Sequence, residues 1–152
     1  MTIDAVEAKR LQLPVITVPV ERGRLQFFAK AIGETDPVYT DLAAAAEAGH
    51  PDLPVPPTFF FSLELSSPDP FAYLRELNVD MRQVLHGEQS FEYHTMVHAG
   101  ETVTVRPRIA DVFAKKGGAL EFLVRRTDFV RGGELVAEAT STLVVQNAKA
   151  TS

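Results

Sequence analysis

The protein has 152 residues, a formal net charge of −5 and a hydrophobic content of 45%, which is the size and composition of one ordinary globular domain. The acidic balance argues against a protein that binds a nucleic-acid backbone, because such proteins carry a basic face. The sequence contains no cysteine, which excludes disulfides, thiolate metal ligands and a cysteine nucleophile. No segment approaches the roughly 18 uninterrupted apolar residues of a membrane helix, and the charged N-terminus is unlike a signal peptide. We therefore expect a soluble, cytoplasmic protein with neither a nucleic-acid nor a membrane partner.

Short helices interrupted by proline are predicted for the first half of the chain. The β-branched stretch 16–20 (ITVPV) favours a strand or an extended lead-in. The next stretch has one apolar face at helical spacing, formed by Leu25, Phe28 and Ile32. Gly33 is a natural stop for this helix. Asp41 precedes a run of alanines, which predicts a second helix with Asp41 as its N-cap.

The stretch 58–67 (TFFFSLELSS) is apolar nearly all round. Its main apolar positions are Phe59, Phe60, Leu63 and Leu65. They leave no polar stripe, so a helix here is expected to be buried on most sides. The sequence that follows predicts one further short helix, with Asp69 as its N-cap and Pro70 in its first position.

The apolar pattern changes to a period of two in the second half of the chain. Four strands are predicted from it, at 89–97 (QSFEYHTMV), 102–109 (TVTVRPRI), 120–130 (LEFLVRRTDFV) and 135–146 (LVAEATSTLVVQ). Short glycine-containing turns between long alternating runs are typical of an antiparallel meander. The simplest way to bury 58–67 is to curl this sheet around it. Such a sheet has open edges, and a dimer that joins two sheets would close one of them.

A resemblance to a known family rests on three runs, which are FAKAIGETDPVYTDLAAAAEAGHPDLPVPPTFF, LHGEQSFEYHTMVHAGETVTV and GELVAEATSTLVV. They resemble the N-terminal-type MaoC-like dehydratase domain, in the (R)-specific enoyl-thioester hydratase group that includes bacterial 3-hydroxyacyl-ACP dehydratase subunits. The match implies a single α+β hot-dog domain over residues 15–146, with a lead-in at 1–14 and a tail at 147–152. In a hot-dog fold, a curled antiparallel sheet wraps a long central helix.

The resemblance also implies partners and ligands. Acyl groups would arrive as thioesters of coenzyme A or of acyl carrier protein, and the chain would form a homodimer, or a heterodimer with a second hot-dog subunit. No cofactor and no metal are expected. Arg106, Arg108, Arg125 and Arg126 could receive a carrier phosphate, although charges solvated on strand surfaces are the favoured account for most of them.

Catalytic members of the family carry the pattern G-D-x-N-P-[aliphatic]-H. Its framework is kept here at Gly33, Pro37 and Val38. The resemblance places Glu34 at the catalytic acid position, Asp36 at the asparagine position and Tyr39 at the catalytic histidine position. These three residues are the candidate catalytic set. The alternative is a polar turn in which Asp36 bonds its own backbone.

Hydration of an enoyl thioester needs a base that activates water, an acid that protonates the α-carbon and a donor to the carbonyl. A carboxylate and an imidazole suit the proton transfers because their pKa values can be tuned to straddle neutrality. Tyr39, with a reference pKa of about 10, is a poor base at neutral pH. Glu34 is longer than aspartate by one methylene, and a displacement of about an ångström can cost roughly a hundredfold in rate.

The carbonyl donor is expected at the start of the central helix. Because prolines at 56 and 57 lack an N–H, the first available backbone donors are those of Thr58 and Phe59. Phe60, with Phe59 and Phe61, could line an acyl tunnel, the alternative being plain core. His86 could approach the cleft, or simply begin a strand.

The other histidines do not predict a metal site. His94 and His98 would lie about 13 Å apart on one strand, which is too far to share a metal ion. The sequence also lacks a G-x-S-x-G motif, a P-loop and a G-x-G-x-x-G fingerprint, so a serine hydrolase or a nucleotide enzyme is unsupported.

Four functions remain open at this point. The chain could be the acyl-binding subunit of an (R)-specific 3-hydroxyacyl-thioester dehydratase, with the Asp–His pair supplied by a partner. It could be a self-sufficient hydratase that uses Glu34 with Tyr39 or His86. A non-enzymatic acyl-CoA binding module and a hot-dog thioesterase are the remaining alternatives.

Overall fold

The computed structural model describes residues 3–147. The helices of this range are α1 (Ala5–Arg10), α2 (Arg22–Ala31), α3 (Leu42–Glu47), α4 (Phe59–Glu64) and α5 (Ala72–Glu76). The strands are β1 (Ile16–Pro19), β2 (Val84–Tyr93), β3 (Thr102–Lys115), β4 (Leu120–Arg131) and β5 (Glu134–Gln146). No helix of this range is long and apolar enough to cross a membrane. The predicted tail lies outside the described residues except for Asn147, and the predicted domain limits stay a prediction.

The five strands form one antiparallel sheet in the order β1-β3-β4-β5-β2. The meander predicted from the glycine turns is confirmed for β3, β4 and β5. Gly132 and Gly133 turn the chain from β4 into β5 with φ values of 56° and 81°, a left-handed conformation that favours glycine. The meander prediction is wrong for β2, which was expected to pair with β3. β2 pairs instead with β5, at the edge of the sheet opposite β1.

The segment between β2 and β3 explains this error. It looks like a hairpin turn in sequence, but its backbone pairs with the proline-rich loop instead. Val55 N donates to Val97 O at 2.9 Å, and Ala99 N donates to Leu53 O at 2.9 Å. The regular strand therefore ends at Tyr93, and the chain crosses to the opposite side of the sheet before β3 begins.

The sheet curls around α4, as the sequence predicts. Phe59, Phe60 and Leu63 are almost fully buried. The expectation that only apolar side chains of this stretch are buried is wrong in one respect. The charged residue Glu64 is buried, at 4% exposed, whereas the apolar residue Leu65 is 38% exposed. The helix is also short, with six residues.

The remaining helices mostly follow their sequence signals. Asp41 caps α3, as predicted, by accepting from Ala43 N at 2.9 Å. The predicted start of α5 is wrong, because its N-cap is Phe71 and the side chain of Asp69 instead pairs with Arg75. Helix α1 was not predicted, and it packs against β3.

Candidate functional site

The loop 33–39 uses its carboxylates to hold its own backbone. Gly33 ends α2 with a φ of 73°. Glu34 Oε1 accepts from the N–H groups of Thr35 and Asp36, both at 3.0 Å. Asp36 caps the turn Pro37–Tyr39 by accepting from Val38 N at 3.0 Å. The polar turn considered as an alternative is thus formed in full.

Tyr39 of this loop faces a cavity between the loop and α4. The space is about 340 Å³, and we call it the Tyr39 cavity. Its lining includes Phe60 of α4, Tyr93 and the segment 94–97. Burial, followed by the charges of Glu34 and Asp36, raises the pKa of Tyr39. At neutral pH its phenol is therefore neutral, which makes it available as a hydrogen-bond donor and a poor base.

A second cavity, of about 280 Å³, lies along the C-terminal part of α4. We call it the His86 cavity. The ring of His86 stacks on Phe61 with the ring centroids 5.3 Å apart, and both residues line it. A bulge in β2 between His86 and Glu88 sets this position. A Cβ at Gly87 would lie 2.7 Å from Val144 Cγ2, so any larger residue there would have to displace the Val144 side chain.

A band of buried polar side chains crosses the inner face of the sheet beside the His86 cavity. We call it the polar belt. It consists of Arg125 and Thr127 on β4, Ser141 on β5 and Glu64 on α4. Along the same face of β4 the flanking side chains are apolar, and Leu123 and Phe129 belong to separate hydrophobic clusters. The polar belt therefore divides the core in two.

Three atoms of the polar belt have no hydrogen-bond partner among the described residues. They are Glu64 Oε1, Arg125 Nε and Thr127 Oγ1. Burial raises the pKa of Glu64, while a contact with the Thr127 hydroxyl that falls short of hydrogen-bond geometry, and the charges of Arg125 and His86, oppose that rise. The guanidinium carbon of Arg125 lies 5.4 Å from the ring centre of Tyr73. A buried polar atom without a partner normally costs about 1–3 kcal/mol, so these three atoms need an explanation.

The polar belt borders a further space. A small cavity of about 90 Å³ is lined by Glu64, Tyr73 and Arg125, and the same three residues also line the His86 cavity. Glu64, Tyr73 and Arg125 therefore stand between two spaces.

Arg125 corrects the expectation for the strand arginines. It is only 8% exposed, whereas Arg106 and Arg108 are exposed and Arg126 is half-buried. The interpretation as charges on the strand surface is confirmed for Arg106, Arg108 and Arg126.

The remaining histidines form pairs elsewhere. His94 Nε2 lies 2.9 Å from Glu138 Oε2, and with Glu92 these groups come close enough to hold a metal ion. The cluster is largely exposed, and Glu138 also lies 3.7 Å from Arg126, so ion pairing accounts for it. His98 Nε2 lies 3.0 Å from His50 Nδ1, and burial lowers the pKa of His98.

Comparison with known proteins assigns the family. The profile of the family described as "FAS1-like, dehydratase domain region" matches residues 12–139. The chain belongs to this FAS1-like dehydratase family.

Individual proteins agree with this assignment. A UPF0336 protein of Streptomyces coelicolor is 33% identical over 149 residues, which are 98% of this chain and 99% of the relative. A chain of the HadBC (3R-hydroxyacyl-ACP dehydratase) complex from Mycobacterium tuberculosis matches with a TM-score of 0.74 at 26% identity, over 88% of this chain and 99% of that chain. A MaoC-like dehydratase matches with a TM-score of 0.81 at 22% identity, over 95% of this chain and 44% of its own, which shows the fold alone. The resemblance to MaoC-like dehydratases and the hot-dog fold class are confirmed.

The structure of this FAS1-like dehydratase family member separates the predicted site residues into two groups. Tyr39 and Phe60 line the Tyr39 cavity, whereas Phe61 and His86 line the His86 cavity. A direct pairing of His86 with Tyr39 therefore gains no support from the geometry.

The two predicted carbonyl donors also differ from one another. The N–H of Phe59 is engaged, since it donates to Pro56 O at 2.9 Å. The amide of Thr58 has no acceptor among residues 3–147, and its side chain is exposed. Of the two, only Thr58 stays a predicted donor.

Glu64 and Arg125 are the site-like residues that the sequence interpretation missed. A signal for each was present. Positions 121, 123, 125, 127 and 129 alternate onto one strand face, which sets Arg125 between Leu123 and Phe129. Glu64 follows Phe60 by four residues, the spacing of neighbours on one helix face.

Proposed function

We propose that the chain is the acyl-thioester-binding subunit of an (R)-specific 3-hydroxyacyl-CoA or acyl-ACP dehydratase. The Asp–His pair would lie on a partner hot-dog subunit. One observation carries the proposal. The loop 33–39 keeps the framework of a hydratase loop, but its Glu34 is engaged with its own backbone and Tyr39 stands where the resemblance expects the histidine.

The chemistry explains why these residues are a poor dyad. Water addition needs a base with a pKa near the working pH. The pKa of Tyr39 is raised above its ordinary value, so its phenol keeps its proton at neutral pH. A phenol of this kind can still donate to a thioester carbonyl, which fits a role in binding or polarising the substrate.

Two cavities support acyl binding. The Tyr39 cavity brings together Tyr39, Phe60 and Tyr93, with Tyr93 fixed by donating to Pro57 O at 2.7 Å. The His86 cavity extends along α4 and is mainly apolar. Mostly apolar clefts with a few placed polar groups are the usual form of a small-ligand site.

An exposed sheet edge supports a partner. β2 pairs only with β5 among the described strands, so its outer edge is open to another chain. Large apolar side chains are exposed on this strand and just after it, with Leu85 at 53%, Tyr93 at 47% and Met96 at 51%. The neighbouring HadBC structure is a complex. A homodimer and a heterodimer both fit this edge, and the cytoplasmic location stays a prediction.

Binding of a saturated acyl-CoA tests the proposal, because such a ligand cannot be hydrated. We expect decanoyl-CoA to raise the melting temperature of the purified chain in a dose-dependent way, with free coenzyme A as the control. The native mass should be recorded in the same buffer. No stabilisation by acyl-CoA of any chain length, in either the monomeric or the dimeric state, would contradict acyl-thioester binding.

A hydration assay separates the enzymatic alternatives. The proposal predicts no appreciable hydration of crotonyl-CoA by the pure chain, and robust turnover by the homomer would remove it. Stabilisation by acyl-CoA without product in any pairing with a second hot-dog subunit would leave a non-enzymatic binding module.

A further inference from the structure

The polar belt offers three unpaired groups whose chemistry is complementary to one kind of ligand atom. Arg125 Nε–H is a donor, Glu64 Oε1 is an acceptor, and the Thr127 hydroxyl can be either. All three residues are more than nine-tenths buried. Glu64 and Arg125 line the His86 cavity with other atoms, while the unpaired atoms themselves are covered, so a ligand in that cavity meets them only after these side chains turn.

The charges of the polar belt narrow the ligand class. Arg125 is positive and Glu64 is acidic, so the pair presents no large excess of either sign. A ligand carboxylate would be attracted by Arg125 but repelled by an ionised Glu64. A ligand ammonium group would be attracted by Glu64 but repelled by Arg125. A hydroxyl group suits both, because it accepts from a guanidinium N–H and donates to a carboxyl oxygen.

The surroundings show why the polar belt differs from ordinary core. Apolar side chains of similar volume would fill this position without the cost of desolvating an arginine and a glutamate. Most of the other residues that line the His86 cavity are apolar or aromatic. They include Phe61, Leu65, Phe71, Val84 and Leu143. The space therefore combines an apolar body with a polar end.

We propose that the polar belt is a subsite for a hydroxyl group carried on the acyl chain, remote from the thioester. The ligand class is then a hydroxylated acyl thioester, in which the alkyl part fills the His86 cavity and the distal hydroxyl bridges Arg125 and Glu64. This inference rests on the proposed function, because it assumes that an acyl chain enters the His86 cavity.

Binding to the wild-type chain gives the first test. Affinities are measured for hexanoyl-, octanoyl- and decanoyl-CoA and for the ω-hydroxy counterpart of each. A plain apolar pocket binds the hydroxylated chain more weakly, because the hydroxyl must be desolvated without a partner. We expect the opposite order for at least one chain length, with the hydroxylated ligand bound about tenfold more tightly, the usual worth of hydrogen bonds to charged groups.

A matched pair of variants identifies the residue responsible. Arg125→Met removes the donor inside the cavity. Arg126→Met makes the same change on the other face of β4, where the side chain is half-buried. We expect Arg125→Met to abolish the preference for the hydroxyl while alkyl-CoA binding is kept, and Arg126→Met to leave the preference unchanged. If Arg125→Met does not fold, the wild-type comparison alone decides.

The outcomes separate this inference from the proposed function. If alkyl ligands bind and no hydroxylated ligand binds more tightly at any chain length, the polar belt holds only water and the inference is overturned, while acyl binding stands. If the preference exists but Arg126→Met removes it as fully as Arg125→Met, the subsite lies elsewhere and the inference is overturned. If neither ligand series binds, the proposed function fails and the inference fails with it.

Discussion

The loop 33–39 and the polar belt are both rich in polar side chains, but they use them in opposite ways. In the loop, Glu34 and Asp36 accept from neighbouring backbone N–H groups, and Glu34 is half-buried while Asp36 is exposed. In the polar belt, three buried atoms have no partner within residues 3–147. The motif resemblance places the candidate catalytic residues in the first region. Hydrogen-bond accounting marks the second as the region whose buried polar atoms stay unpaired among the described residues.

The largest predicted difference in the free energy of unfolding is between substitutions of two residues on one face of β4. Phe129 is fully buried and packs on Phe60 with ring centroids 5.0 Å apart. Phe129→Ala should cost about 3–5 kcal/mol, the usual price of emptying an aromatic core position. Thr127→Val should be neutral or stabilising, since it removes a hydroxyl that has no partner.

Chemical denaturation of both variants measures these differences. A loss of about 2 kcal/mol or more for Thr127→Val would show that its hydroxyl is paired, and the contrast between the polar belt and the loop would then weaken.

The acidity of Glu64 gives a prediction on pH. Burial raises its pKa in the folded protein, so the folded state binds the proton more tightly than the unfolded chain, in which glutamate titrates near about 4.3. Stability from this group is therefore complete below that pH and is lost as pH rises through the folded pKa. Glu64→Gln should remove this dependence. As pH rises from acid to neutral, the wild-type free energy of unfolding should fall relative to that of the variant, and parallel pH profiles would contradict the raised pKa.

The smallest effects are expected in the loop. Asp36→Ala removes a capping acceptor and should cost about 1 kcal/mol. Glu34→Gln should change stability by only a few tenths of a kcal/mol, because a glutamine oxygen can accept from the same two N–H groups. Thermal unfolding of both variants checks this order, and a large loss for Glu34→Gln would mean that the carboxylate has a partner beyond its own backbone.

Much of the fold could be predicted because its signals are local. The long alternating runs and glycine turns specify β3, β4 and β5, and Asp41 specifies the start of α3. The partner of β2 could not be predicted in this way, since a glycine turn before β3 looks like a hairpin. The bonds of Val97 and Ala99 to the loop around residue 54 are long-range contacts that no local pattern encodes.

The candidate site shows the same limit. The loop 33–39 was found because its spacing resembles a family motif, and its capping bonds follow from the residue types. The burial of Glu64 depends on which face of a six-residue helix meets the sheet, and an almost wholly apolar run does not indicate that face. Arg125 could have been placed by strand alternation, but its lack of a partner appears only when β4, α4 and α5 are packed together.

Hydration of crotonyl-CoA by the purified chain and by Glu34→Gln tests the central claim most directly. The account predicts that both proteins bind saturated acyl-CoA alike, and that neither hydrates crotonyl-CoA above the uncatalysed rate. Robust hydration by the wild-type chain that Glu34→Gln abolishes would contradict it, and would show that Glu34 carries out the chemistry without a partner.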